Sequence, residues 1–192
     1  IGDAAVARLP DLHAWVRSEP PGHEPPPPDA DAVAVIAVGS GSTGAPKIIP
    51  VRHRHLTARS LNDPRLADSP GDPVLILQSL GTLTHLSRSL IALHAGATLV
   101  LLRDTPPGER AQAGADLIDR HRVRHLHCTP VGAGLLVRAF EGTDRPRFPG
   151  LGSIRIGAAV VGPQLRADVR RRLSPNLSIN YGANELGSIA CG

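Results

Sequence analysis

The chain has 192 residues, 21 basic against 17 acidic side chains for a net charge of +4, and 41% hydrophobic residues. That apolar content supports a packed core and excludes wholesale disorder, while the longest aliphatic runs, residues 74–77 and 99–102, are too short to cross a bilayer. Two cysteines, Cys128 and Cys191, cannot build a disulfide framework, and with no apolar leader at the N-terminus a soluble, cytoplasmic protein is expected.

Rarer residues sharpen this. Lys47 is the single lysine against 20 arginines, Tyr181 the single tyrosine, and methionine is absent even at position 1. A chain opening on Ile1 reads as a piece of a longer parent protein, whose remainder is an expected partner. The arginines are interspersed with acids and there is no aromatic stacking platform, so no nucleic-acid partner is expected.

In chain order, residues 1–17 form an N-terminal segment whose short amphipathic stretch is broken by Pro10. Residues 18–30 are proline-rich, and Pro25 to Pro28 favour an extended spacer. The compact part is expected over residues 31–192. Residues 32–38 are wholly apolar and end in glycines, which predicts a buried parallel strand. The pattern then predicts a helix at 53–62, a strand at 73–78, a helix at 84–94 ended by Gly96, and a strand at 97–102. A helix at 108–121, a strand at 123–128 and a helix at 130–140 follow. The last elements are a strand at 153–156, a helix at 162–173 and a strand at 177–180. Strands alternating with helices of this length imply an α/β fold, a mostly parallel sheet with helices on both faces. In such sheets ligands bind beyond the carboxyl ends of the strands, so the loops after strands are the places to search.

The first of these loops is Gly39-Ser-Gly-Ser-Thr-Gly-Ala-Pro-Lys47. Its glycines let backbone N–H groups turn toward an anion, its hydroxyls add donors, and Lys47 adds a cation, a composition suited to wrapping a polyphosphate. The spacing Gly39-x-Gly41-x-x-Gly44 also matches a dinucleotide-binding fingerprint, which requires a helix to open at the loop. Pro46, Pro50 and the β-branched Ile48, Ile49 and Val51 oppose that helix. A Walker A loop fails because Ala45 and Pro46 separate Gly44 from Lys47.

Residues 39–47 resemble the phosphate loop of the adenylate-forming superfamily of acyl-CoA synthetases, aryl-acid ligases, peptide-synthetase adenylation domains and luciferases. Ser40, Gly41, Ser42, Thr43, Gly44, Pro46 and Lys47 fit that loop, and Gly39 departs from its first position. Two further segments resemble the family in its order. Asn180-Tyr-Gly-Ala-Asn-Glu185 is similar to its Tyr-Gly-x-Thr-Glu signature, with Asn184 in place of threonine. Gly157-Ala-Ala-Val160, 24 residues before Tyr181, is similar to its Gly-Gly-Ala turn, with Ala158 in place of the second glycine. The resemblance covers residues 31–187 and implies a central slice of the family's N-terminal domain.

It also implies ATP and Mg²⁺ as cofactors and activation of a carboxylic acid to acyl-AMP, followed by transfer to CoA or to an acyl or peptidyl carrier protein. Ser40 to Gly44 would hold the outer phosphates and Lys47 would neutralise them. Glu185, with Thr43, would hold Mg²⁺. Tyr181, flanked by Asn180, Gly182 and Ala183, would pack on adenine, and Asn184 would donate to the α-phosphate. Gly157, Ala158 and Ala159 would border both ligands, while Thr82 and His85 fall where the family binds the acid. The stretch from Lys47 to His53 resembles aryl-acid ligases, which makes an aryl acid one candidate substrate. Two other readings stay open: a catalytically incomplete nucleotide-binding or interaction fragment, and an NAD(P)-binding oxidoreductase domain. His121, His125, His127 and Cys128 suggest a metal cluster by composition, but strand alternation turns Cys128 away from His125 and His127. Arg166, Arg170, Arg171 and Arg172 read as the solvated face of a helix.

Overall fold

The computed structural model describes residues 29–39, 46–61, 70–78, 80–102, 105–143 and 145–192. The N-terminal segment, nearly all of the proline-rich stretch and the loop residues Ser40 to Ala45 lie outside them.

Two strands come first, β1 (Val33–Gly39) and β2 (Lys47–Arg52), followed at once by helix α1 (His53–Leu61). Strand β3 (Pro73–Ile76), helix α2 (Leu83–His94), strand β4 (Thr98–Leu101) and helix α3 (Arg110–His121) come next. Then follow β5 (His125–Cys128), α4 (Pro130–Ala139), β6 (Ser153–Ile156) and α5 (Pro163–Arg172). The last two are β7 (Leu177–Ala183) and β8 (Gly187–Cys191). Strands β3 to β8 form one six-stranded sheet in the order β4-β3-β5-β6-β7-β8, parallel throughout except for the β7–β8 pair.

Local chemistry sets the helix ends. At α2, Thr82 is the N-cap and its hydroxyl accepts the His85 N–H. The same helix ends where Gly96 adopts φ +74°: its N–H donates to Leu93 O at 3.0 Å and the Ala97 N–H donates to Ala92 O at 2.9 Å. This paired left-handed cap is open to glycine without steric cost. Helix α4 opens with Pro130 behind Thr129, whose hydroxyl accepts the Gly132 N–H at 3.2 Å.

Both faces of the sheet are covered. Leu75, Leu126, Cys128, Ile154 and Ile156 pack against Ile118 of α3, Leu136 of α4 and Val169 of α5 in the main core. On the other face Val74 and Ile76 pack on Ala92 of α2. A third, small cluster of Ala37, Val51 and Leu83 ties the β1–β2 pair to α2. The alternation of strands and helices read from the sequence is therefore present as a mostly parallel, doubly covered sheet.

Two expectations are corrected. Residues 33–39 are not a buried parallel strand: β1 pairs antiparallel with β2 in a separate two-stranded sheet, and Ile36, Val38 and Ile48 on its outer face are exposed. The reason is connection length. Only residues 40–46 separate the two strands, and a parallel pair needs a crossover of a dozen or more residues. Second, the strand expected to stop at Asn180 runs on to Ala183 and turns back into β8, so Tyr181 and Gly182 are strand residues rather than loop residues.

Candidate functional site

An open cleft of about 1390 Å³ lies at the carboxyl edge of the six-stranded sheet. Its floor comes from the segment after β3, from Thr129 after β5, Ala158 after β6 and the end of β7. Its walls are the β1–β2 pair, α1 and the first turns of α2. Parallel strands all end on this edge, which is why residues far apart in sequence converge there.

At one end, Lys47 of β2 is the strand partner of Gly39, and both line the cleft. Facing it is the tight turn between β7 and β8. The Leu186 N–H donates to Ala183 O at 3.2 Å, and Gly187 closes the turn at φ +82°. The turn carries Asn184 and the exposed Glu185, both on the cleft. The Asn184 amide nitrogen lies 4.0 Å from where a Cβ on Gly39 would sit. The two walls therefore approach each other at the start of the glycine-rich segment.

Arg59 of α1 reaches across to this turn and donates from Nη2 to the Asn184 carbonyl. Burial lowers the pKa of its guanidinium and the nearby Glu185 carboxylate opposes that shift. Its Nε, Cγ and Cδ lie 3.5, 3.6 and 3.7 Å from the Cβ position of Gly187. Lys47, Arg59 and Arg88 line the cleft against Glu185 as the acid among its described lining residues, a balance that favours anionic ligands.

At the other end, Thr82 and His85 open α2, with Thr82 Oγ1 2.7 Å from His85 Nδ1. Arg88, one turn further on, is buried and donates from Nη2 to Asn180 Oδ1 at 3.1 Å, and Ser188 of β8 donates its hydroxyl to the same oxygen. His127 and Arg155 are cross-strand partners on β5 and β6 and both are buried. Burial first, then Arg88, Arg155, His125 and His85, hold the His127 pKa well below the usual histidine range, so its ring is neutral at pH 7.

The cleft brings together Lys47, Thr82, His85, Ala158, Asn180, Gly182, Ala183, Asn184 and Glu185. It does not include Gly157, Ala159 or Tyr181 in its lining: Gly157 is buried under the Asn180 carbonyl, and Tyr181 stands between two lining residues with 67% of its surface exposed. Ser40, Gly41, Ser42, Thr43 and Gly44 fall outside the described residues. The helix that a dinucleotide fingerprint needs is not there, since the chain enters a strand at Lys47. Ala158 has φ +72°, the left-handed conformation that glycine adopts freely. Sequence reasoning missed Arg59, Arg88 and Ser188. Arg59 meets its partner across 125 positions and Arg88 across 92, and no local pattern marks such pairs.

The side chains of the histidine-rich strand β5 are engaged separately. His125 Nδ1 is 2.9 Å from Ser153 Oγ and its Nε2 is 3.5 Å from Asp72, while Cys128 points into the main core, where burial pushes its thiol up to about 12. Among the described residues no group of three or more His, Cys, Asp and Glu is placed to hold a metal ion, and no helix is long and apolar enough to cross a membrane. On α5, Asp168 pairs with Arg171 and Arg172, and Arg166 donates to Val161 O, as on a solvated helix face.

Residues 3–192 match the AMP-binding enzyme family. Over 131 residues the chain is 34% identical to a probable non-canonical nonribosomal peptide synthetase, CymA, from Salinispora arenicola, which is 67% of this chain and 2% of that protein. The solved apo structure of MbtA from Mycobacterium smegmatis matches with 29% identity and a TM-score of 0.66, covering 86% of this chain and 30% of that one. The N-terminal subdomain of NpsA from Klebsiella oxytoca, solved with 3-hydroxyanthranilyl-AMSN, shares the fold at 22% identity with a TM-score of 0.76, covering 94% and 45%. This chain thus spans less than half the length of each of these relatives. With the cleft at the carboxyl edge, a lysine and a glutamate facing across it, and the family match running over nearly every residue, the chain belongs to the AMP-binding, adenylate-forming enzymes.

Proposed function

We propose that this chain forms the nucleotide- and acid-binding part of a ligase that activates a carboxylic acid with ATP, giving acyl-AMP and pyrophosphate, and then passes the acyl group to a thiol. One observation carries the reading. Lys47, Asn184 and Glu185 come from two different sheets and meet on facing walls of one cleft.

In this reaction a carboxylate oxygen of the acid attacks the α-phosphorus of ATP, and the bond from that phosphorus to the pyrophosphate oxygen breaks. The step depends on positioning and charge neutralisation. The Ser40–Gly44 segment holds the β- and γ-phosphates and Lys47 neutralises them, while Thr43 joins Glu185 in holding Mg²⁺. The Asn184 amide donates a hydrogen bond to the α-phosphate. Asn180, Gly182 and Ala183 border the adenine, with Tyr181 on the strand between them, and Ala158 lines the join between nucleotide and acid. Thr82 and His85 stand at the acid end.

The exposed carboxylate of Glu185 fits Mg²⁺, which binds through one or two carboxylates together with substrate phosphates and retained waters. When bound, the ion neutralises charge on the phosphates.

The 34% identity with a nonribosomal peptide synthetase favours a carrier-protein thiol over CoA as acceptor. The exposed apolar ladder of Ile36, Val38 and Ile48 suits packing against the remainder of the enzyme. The test is carboxylate-dependent ATP–pyrophosphate exchange by the intact protein over a panel of acids. Exchange with one class of acid is expected, falling ~100-fold or more in Glu185→Ala. No exchange with any acid, or near-normal exchange by the variant, refutes the assignment.

A further inference from the structure

The two halves of the phosphate end belong to separate sheets. Lys47 lies on the two-stranded β1–β2 sheet, and Asn184 and Glu185 lie on the turn between the last two strands of the six-stranded sheet. Among the described residues no strand ladder joins the two sheets, so contacts between side chains and from helices set their spacing.

Helix α1 begins directly after β2, which fastens it to the strand that carries Lys47. From α1, Arg59 donates to the carbonyl of Asn184 at the turn. Its stem runs along Gly187, which leaves open the space a side chain would fill. Its guanidinium lies close enough to Glu185 for the carboxylate to act on it. A hairpin tip held by its own turn alone swings about the strands; one hydrogen-bonded and packed from a neighbouring helix does not.

We propose that Arg59 is a positioning residue for the metal–phosphate end of the cleft, holding the 183–187 turn so that the Asn184 amide and Glu185 carboxylate stay in register with Lys47. This rests on the nucleotide-binding reading above. Arginine suits the task because its fork offers several N–H donors in a fixed plane, so one can serve the Asn184 carbonyl while the charge stays beside Glu185. Lysine offers a single ammonium that cannot occupy both places.

The experiment compares wild type, Arg59→Lys and Arg59→Ala in the intact protein. Calorimetry measures ATP·Mg²⁺ binding, ligand-observed NMR measures adenosine binding, and thermal unfolding monitors the fold. Arg59→Ala is expected to weaken ATP·Mg²⁺ by ~10-fold, with Arg59→Lys in between. Adenosine, which does not reach the turn's carboxylate, should change by less than about twofold. In exchange assays the loss should appear in KM for ATP·Mg²⁺, with KM for the acid unchanged. Wild-type affinity for ATP·Mg²⁺ in Arg59→Ala overturns the inference and leaves the nucleotide reading standing. Equal loss of both ligands overturns it by showing a general structural role. Wild-type protein that binds neither ligand defeats the nucleotide reading and the inference with it.

Discussion

Replacing Gly182 with alanine tests whether the β7–β8 turn sets the geometry of the cleft. Strand β8 is bulged here: Tyr181 faces Ala190 and Gly182 faces Ser188, so Ile189 is left over. A Cβ on Gly182 would lie 2.4 Å from the carbonyl oxygen of Gly187, 3.2 Å from its carbonyl carbon and 3.4 Å from Ser188 Cα. All three are backbone atoms, so no side-chain rotation relieves the contact. To reach an ordinary contact of 3.4 Å, the carbonyl must retreat by about 1 Å. Forcing a methyl into such a space costs about 1–3 kcal/mol. For a domain of this size that is a Tm lower by about 2–12 °C. The functional cost is larger in proportion, since the displaced segment carries Asn184 and Glu185. A misplacement of ~1 Å in a positioned group lowers a rate by ~100-fold. Gly182→Ala should therefore remain folded, with a modestly lower Tm, yet lose about two orders of magnitude in pyrophosphate exchange. A variant with unchanged stability and unchanged exchange would show that β8 yields freely, and the turn would not be the fixed wall described above.

Three further outcomes are expected. Ala158 sits at φ +72°, so Ala158→Gly should raise stability by ~1 kcal/mol in denaturant titration, with the flexibility glycine gains in the unfolded chain offsetting part of the relief. His127 is held neutral in the fold, while in the unfolded chain it takes up a proton below about pH 6.5. Stability is then full above that pH and falls as the pH drops through it, by up to ~1.4 kcal/mol per unit. Denaturant titrations of His127→Gln between pH 5 and 7 should show a flatter profile than wild type. The buried Cys128 thiol, pushed up to about 12, should resist iodoacetamide at pH 8 in the folded protein, as read by mass spectrometry, and react once the chain is unfolded.

Much of the scaffold was legible in the chain. Apolar runs of four to six residues, spaced by helical stretches with Pro or Thr at their starts and Gly96 at an end, mark elements whose signals are local. Strand β1 shows the limit. A wholly apolar run reports that a strand is greasy but not which partner covers it, and Ile36, Val38 and Ile48 are exposed in the event. Strand β8 was missed because residues 187–191 carry no period of their own and are held by pairing with β7.

By itself the sequence determined the alternation of strands and helices, the order of the three signature segments and the chemical types placed in them, because each depends on residues within a few positions of one another. Only the tertiary structure decided how those segments face. It put Lys47 and Glu185 on opposite walls, turned Tyr181 out of the cleft lining, and set Arg59 against a carbonyl 125 positions away. The physical reason is that parallel strands deliver their carboxyl ends to one edge whatever their separation along the chain. Which side chains meet there is fixed by sheet order and helix packing, which local pattern does not encode.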